Sequence, residues 1–169
     1  TKEYLSPDFP WDDPEWVAAW EFVSQRVEGA SMPENILYVI DQDGNDYTKS
    51  ITQNHDFHFM LLSNDLRTAN FKKIDKINQF AAKSLENSLN FVLITGSSLQ
   101  SVQDFQAKYN PNFEVFYGDE IALKTFVRAN PGLVLMKDGV ILAKWHHNDF
   151  PVFEKINFKK LESKFLKNF

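Results

Sequence analysis

The chain contains no cysteine. That absence removes disulfides, thiolate nucleophiles and cysteine-ligated metal ions together. It carries no evidence about compartment. No apolar run approaches the ~20 residues that span a bilayer, and no signal peptide is visible. A nucleic-acid-binding face is not expected either. The net charge is −5, and phosphate binding draws on clustered Lys and Arg. The basic residues fall in helix-like stretches (Arg67, Lys72, Lys73 and Lys76; Lys155, Lys159, Lys160, Lys164 and Lys167) and read as solvated helix faces. No internal repeat or low-complexity segment is visible. Gly96-Ser97-Ser98 lacks the glycine spacing of a nucleotide loop and reads as a capped turn. No Ser-His-Asp order is recognisable. Asp12-Asp13 looks like helix-start chemistry, not a general acid and base.

What is present supports a packed globule. The 169 residues are 43% hydrophobic and 15% aromatic, with 16 phenylalanines. That length allows one domain with a real core, and the composition argues against disorder. The first residue is Thr rather than Met. The expectation is a soluble piece of a longer protein, or a mature or tag-cleaved form, with room for a targeting or membrane segment outside it.

Three prolines suppress regular structure over residues 1–14, and Asp12-Asp13-Pro14-Glu15 starts a helix over about 14–27. Trp16, Trp20 and Val23 form its apolar stripe. With Trp11 they make either a packed side or a partner- or membrane-facing patch. After a loop at 29–35, a strand at 36–40 turns at Asp43-Gly44 and returns at 47–51, a β-hairpin. A buried strand at 57–62 leads to a helix over about 66–84, with Phe71, Ile74, Ile77, Phe80 and Ala81 inward. Another buried strand spans 89–95. Ser98 caps a helix to about 108, with Val102 and Phe105 inward. A short strand at 113–117 precedes a helix capped by Asp119 and running to about 128, with Ile121, Leu123 and Phe126. A second hairpin follows Pro131 and turns at Lys137-Asp138-Gly139. A loop at 146–151 and a final helix over about 153–167 close the chain, with Phe158, Leu161 and Phe165 as its face. Alternating strands and helices imply a parallel central region with right-handed crossovers. The expected fold class is α/β, a three-layer sandwich with a mixed central sheet and helices on both faces. An N-terminal extension with a short helix (1–35) precedes the main domain (36–169).

Asn130-Pro131-Gly132 followed by 133–141 resembles the proline hairpin of thioredoxin. In that fold a proline, usually cis, faces the start of the redox helix. Residues 59–62 resemble the strand before that helix, and 36–51 resembles the hairpin extension of TlpA-type thiol–disulfide oxidoreductases. The likeness covers about 36–169. A narrower set of motifs resembles the C-terminal soluble domain of bacterial DoxX/MauE-type membrane proteins. It comprises Trp20-Glu21-Phe22-Val23, Asp43-Gly44-Asn45-Asp46, the run from Lys124 to Gly132, and the run from Lys144 to Pro151. That resemblance implies a domain on the extracytoplasmic, periplasmic face of a bacterial membrane.

The thioredoxin resemblance puts the redox motif at Leu66-Arg67-Thr68-Ala69, where no residue supplies a thiolate. Thr68 has no base placed by the sequence to activate it. The expected function is a redox-inactive thioredoxin-like module for protein interaction or regulation, with no catalytic residue. The alternative is an accessory domain for thiol or quinone chemistry in a membrane part outside this chain. The candidate partner-binding residues are Asn130 and Pro131, with Leu66, Arg67, Thr68 and Ala69 opposite, and Trp145. The partner would be a protein or peptide at the Pro131 edge, or the chain's own membrane domain. A proline that merely opens a strand is the plainer reading. Arg128 and Lys144 with Trp145 suggest a cationic–aromatic surface for a carboxylate or peptide, though a helix C-terminus explains Arg128 as well. His146-His147 with Asp149 suggests a metal, but adjacent strand residues point to opposite faces, as do His55 and His58. No metal, cofactor or nucleic acid is therefore expected.

Overall fold

The computed structural model describes residues 37–166. The expected helix over 14–27, its Trp11, Trp16 and Trp20 stripe, and the division at residue 35 lie outside the described residues. The elements in order are β1 (Val39–Ile40), α1 (Thr48–Thr52), β2 (His58–Ser63), α2 (Ile74–Glu86), β3 (Asn90–Thr95), α3 (Leu99–Tyr109), β4 (Glu114–Gly118), α4 (Glu120–Phe126), β5 (Gly132–Lys137), β6 (Val140–His146) and α5 (Phe158–Leu166). Among the described residues, no helix is long and apolar enough to cross a membrane.

The six strands form one sheet in the order β1-β4-β3-β2-β5-β6. The central trio β2, β3 and β4 is parallel, while β1, β5 and β6 run antiparallel to their neighbours. Every residue of β2 is buried. Its apolar run follows from its position, because a central strand covered on both faces has no solvated side. Alternation sorts its side chains. Phe59 and Leu61 point to one face, in register with Phe91 and Leu93 of β3 and with Leu135 and Leu133 of β5. That face is covered by α2, α3 and α5. Met60 and Leu62 point to the other, which Ile51 of α1 and Leu123 of α4 cover. The result is the three-layer sandwich, with helices on both faces.

The aromatic residues concentrate on the first face. Phe59 meets Phe80 edge-on, with ring centroids 4.8 Å apart, and Phe91, Phe153 and Phe158 surround it. Edge-to-face contacts add to plain area burial. Two helix starts agree with the sequence reading. Ser98 Oγ accepts from the Ser101 amide, and Asp119 Oδ1 accepts from the Ala122 amide at 2.8 Å.

Four expectations are corrected. The hairpin over 36–51 shrinks to one bridge, Ile40 to Asp46, and its return limb is helix α1. Thr48 and Ile51 are both buried, a helical spacing that a strand would split between faces. Asp46 Oδ1 accepts the Thr48 amide at 2.8 Å, and Thr48 Oγ1 accepts the Val39 amide at 2.9 Å. The helix expected from Leu66 begins at Ile74, for reasons given below. Ile121 is 74% exposed while Leu123 is in the core, since two residues on a helix are about 200° apart. The last helix starts at Phe158, after a separate 3₁₀ turn at Phe153–Lys155. Asn157 Oδ1 accepts the Lys160 amide at 2.9 Å and sets that start. The side chain of Phe165 lies outside the described residues.

Two outcomes follow from this packing. Phe59→Ala empties the centre of the aromatic face and should cost about 3–5 kcal/mol, read as a fall in the urea midpoint. His58 is only 3% exposed; its Nδ1 donates to the Asp56 carbonyl, and its Nε2 has no aligned partner. Burial lowers its pKa from the ordinary 6.5, while the Asp56 and Ile51 backbones pull weakly the other way. The unfolded chain therefore takes up the proton first. Stability should fall as pH drops below about 6.5 and go on falling to the lower folded value. Urea midpoints at pH 7.5 and pH 5 should show the drop, and His58→Leu should make it smaller, with His147 supplying part of the remainder.

Candidate functional site

The central strand β2 ends at Ser63, a fully buried hydroxyl. The chain then makes turns through residues 64–73 before α2 begins. Asn130, just before β5, reaches across to this segment. Its Oδ1 accepts from Ser63 Oγ at 2.8 Å. Its Nδ2 donates to the Asp65 carbonyl at 2.9 Å and to Thr68 Oγ1 at 3.1 Å. Its carbonyl accepts the Asn70 amide at 2.9 Å. One residue thus clasps four points of the 63–70 segment. The Asn130–Pro131 peptide bond is cis.

The segment's own side chains complete the lock. Asp65 Oδ1 accepts the Arg67 amide at 2.9 Å, and Thr68 Oγ1 donates to the Asp65 carbonyl. Asn70 Oδ1 accepts the Lys72 amide, and Ser97 Oγ accepts the Leu66 amide at 2.8 Å. These groups compete with helical pairing, which is why α2 starts late. The Arg67 guanidinium meets the Asp65 carboxylate through Nε at 3.0 Å and Nη2 at 2.9 Å. That hydrogen bond holds the Asp65 carboxyl below its usual range.

The structure brings Asn130 together with Asp65, Thr68 and Asn70, so the two halves of the expected site are adjacent. Arg67 and Thr68 are exposed, Ala69 and Asn130 are half-buried, and Leu66 is buried. Pro131 is also buried, and the Asn130 carbonyl is already engaged. The free edge expected at Asn130–Pro131 is thus narrower than the sequence suggests. Gly132 is needed beside it, because a Cβ there would stand 2.8 Å from Val127 Cβ. Trp145 pairs in register with Leu133 and packs against the first core face. Leu66 and Ala69 of the turn pack on that same face.

His146 and His147 depart from the expected geometry. The strand ends at His146, and His147 opens a 3₁₀ turn, so the rings lie with centroids 4.0 Å apart rather than on opposite faces. His146 Nδ1 accepts the Asn148 amide, which leaves that nitrogen engaged. His147 faces the Pro131 backbone, and its Nδ1 is buried without an aligned partner. Burial, helped by His146 and Lys73, lowers its pKa, while the Pro131 backbone pulls the other way. His55 precedes β2 and pairs with Asp138 at 2.6 Å. No group of three or more metal-ligating side chains occurs among the described residues.

A polar cleft of about 150 Å³ adjoins the turn, lined by Asn64, Asp65, Arg67, Ser98, Ser101 and Glu120 among others. Gly96 lines it and lets the start of α4 approach closely, since a Cβ there would lie 2.9 Å from the Glu120 Cα. Ser63 and Asn70 were not expected here, and Ser97, expected in a capped turn, holds the Leu66 amide instead. A lone serine ending an apolar strand, and Asp, Thr and Asn spaced through a supposed helix start, were the available signals.

No family model matches the chain, and no curated protein matches it. Solved structures do. A thiol-disulfide oxidoreductase from Bacteroides fragilis NCTC 9343 is 11% identical, with 78% of this chain and 96% of that chain covered and a TM-score of 0.53. A secreted Mycobacterium tuberculosis disulfide oxidoreductase homologous to E. coli DsbE is 15% identical, with 77% and 94% covered and a TM-score of 0.50. The fold is thioredoxin-like. Identities this low establish the fold alone. This thioredoxin-like chain holds no thiol with which to carry out the exchange that those proteins are named for.

Asn130→Ala tests the clasp. It strips the partner from Ser63 Oγ and from the Asp65 carbonyl, and should cost about 2–3 kcal/mol. Amide exchange over residues 66–70 should accelerate more than in β3. A uniform change across the sheet would show that the clasp does not hold the turn.

Proposed function

We propose that this thioredoxin-like domain works by docking a protein segment at the 66–69 turn beside Asn130, and not by exchanging thiols. One observation carries the reading. The loop facing Asn130–Pro131 is locked by hydrogen bonds into a fixed shape that presents Arg67 and Thr68 to solvent, in a chain without sulfur nucleophiles. A preorganised surface loses little entropy on binding. With Pro131 buried and the Asn130 carbonyl engaged, recognition rests on side chains of the turn more than on strand addition.

We further infer that the domain belongs to a bacterial membrane protein and lies on its extracytoplasmic side. The DoxX/MauE-like spacing of the runs 124–132 and 144–151 supports this. The sequence encoded upstream of Thr1 tests it: transmembrane helices are expected there, and their absence would remove the assignment.

The docking reading is tested with isotope-labelled protein and a panel of extended peptides. Amide shifts should concentrate at residues 66–70 and 130, and Thr68→Trp should weaken binding about tenfold or more by obstructing the surface. Shifts confined to other faces would sink the reading. In parallel, insulin reduction by dithiothreitol should run at the same rate with and without the domain.

A further inference from the structure

The charge around the docking turn is opposite in sign to that of the chain. The chain as a whole carries −5. Three segments converge on Asn130: 65–76, 127–132 and 144–149. The Asn70 amide bonds the Asn130 carbonyl, and His146 stands opposite Gly132 in the sheet. These segments carry Lys72, Lys73, Lys76, Arg128 and Lys144, all exposed. None of the five has a carboxylate within ion-pair distance among the described residues. The carboxylates beside the turn are Asp65, Asp75, Asp149 and, across the cleft, Glu120; Asp65 is matched by Arg67 and Glu120 by Lys124.

Two of the cations are positioned by neutral partners. Lys73 Nζ donates to the Asn148 carbonyl at 2.8 Å, tying the start of α2 to the turn after β6. Lys144 Nζ donates to the Phe126 carbonyl at the end of α4. A carbonyl fixes an ammonium group without cancelling its charge, so both sites keep their field. Lys72 and Arg128 make no side-chain hydrogen bond among the described residues.

We infer that the partner segment docking at this turn is acidic: an extended Asp/Glu-rich stretch of another protein, held by Lys72, Lys73, Arg128 and Lys144 around the Thr68–Asn130 surface. This rests on the docking reading and names the chemistry of its occupant. Charge complementarity of this kind sets partner choice and encounter rate, and it weakens with salt.

The test uses the whole 169-residue chain and three labelled peptides of equal length, alternating Ser with Glu, Gln or Lys. Fluorescence anisotropy should show the Glu peptide binding about tenfold tighter than the Gln peptide at low salt, with the gap closing as salt rises past about 0.3 M. The double change Lys72→Glu/Arg128→Glu should abolish that preference, and these exposed side chains leave the fold intact. The control Lys159→Glu/Lys160→Glu on α5 should not. Equal binding of all three peptides, lost in Thr68→Trp, would overturn the acidic partner and leave the docking reading standing. Loss of the preference in both double variants would show a diffuse field and overturn the site. Failure of every peptide to bind would overturn both.

Discussion

The side chain of Asn130 is the constraint on which the site depends. A primary amide offers one acceptor oxygen and two N–H donors, and here each takes a partner on one short stretch of chain: Ser63 Oγ, the Asp65 carbonyl and Thr68 Oγ1. The backbone of the same residue takes the Asn70 amide. Each neutral bond contributes only about 1 kcal/mol net, but an unpaired buried partner would cost more. The clasp therefore acts mainly through what its loss would leave unsatisfied. It joins the end of β2 to the approach to β5, neighbours in the sheet, and so fixes the mouth of the molecule to its core.

That core makes the polar mouth possible. β2 is apolar on both faces and covered by helices from both sides. Its last residue is a serine with no access to water. A hydroxyl so placed must find a protein partner, and Asn130 provides it. Beyond that point the chain carries Asp65, Thr68 and Asn70, whose side chains capture nearby backbone groups. Helix pairing loses this competition until Ile74.

Long-range order was more legible than local exceptions. Strands β2 and β3 stood out as apolar runs, and Ser98 and Asp119 announced their helices through ordinary capping chemistry. Pro131, its apolar run and the Asp138-Gly139 turn marked the second hairpin, and Asp138 and Gly139 do adopt positive φ. The errors lie where two periods fit the same residues. Thr48 and Ile51 satisfy a helix, although their short segment reads as a return strand. Phe71 is buried like its helical neighbours Ile77 and Phe80, yet it sits in a turn. Of the site residues named from sequence, Asn130 and Thr68 share a hydrogen bond, and Leu66, Ala69 and Trp145 pack on one core face. The hydrogen bonds that assemble them join residues more than sixty positions apart, and no local pattern encodes such pairs.

The missing sulfur is not this chain's only departure from a thiol-exchange site. A reactive thiolate is stabilised by the free amides and dipole of a helix N-terminus. Here ten residues separate the end of β2 from the first residue of α2. The amides of Leu66, Arg67 and Asn70 in that interval are taken by Ser97, Asp65 and Asn130. A sulfur placed on the 66–69 turn would meet hydrogen-bonded turns rather than an open helix end. The electrostatic device and the nucleophile are absent together. What remains is a turn locked by hydrogen bonds and bordered by exposed cations, set on a well-packed sheet.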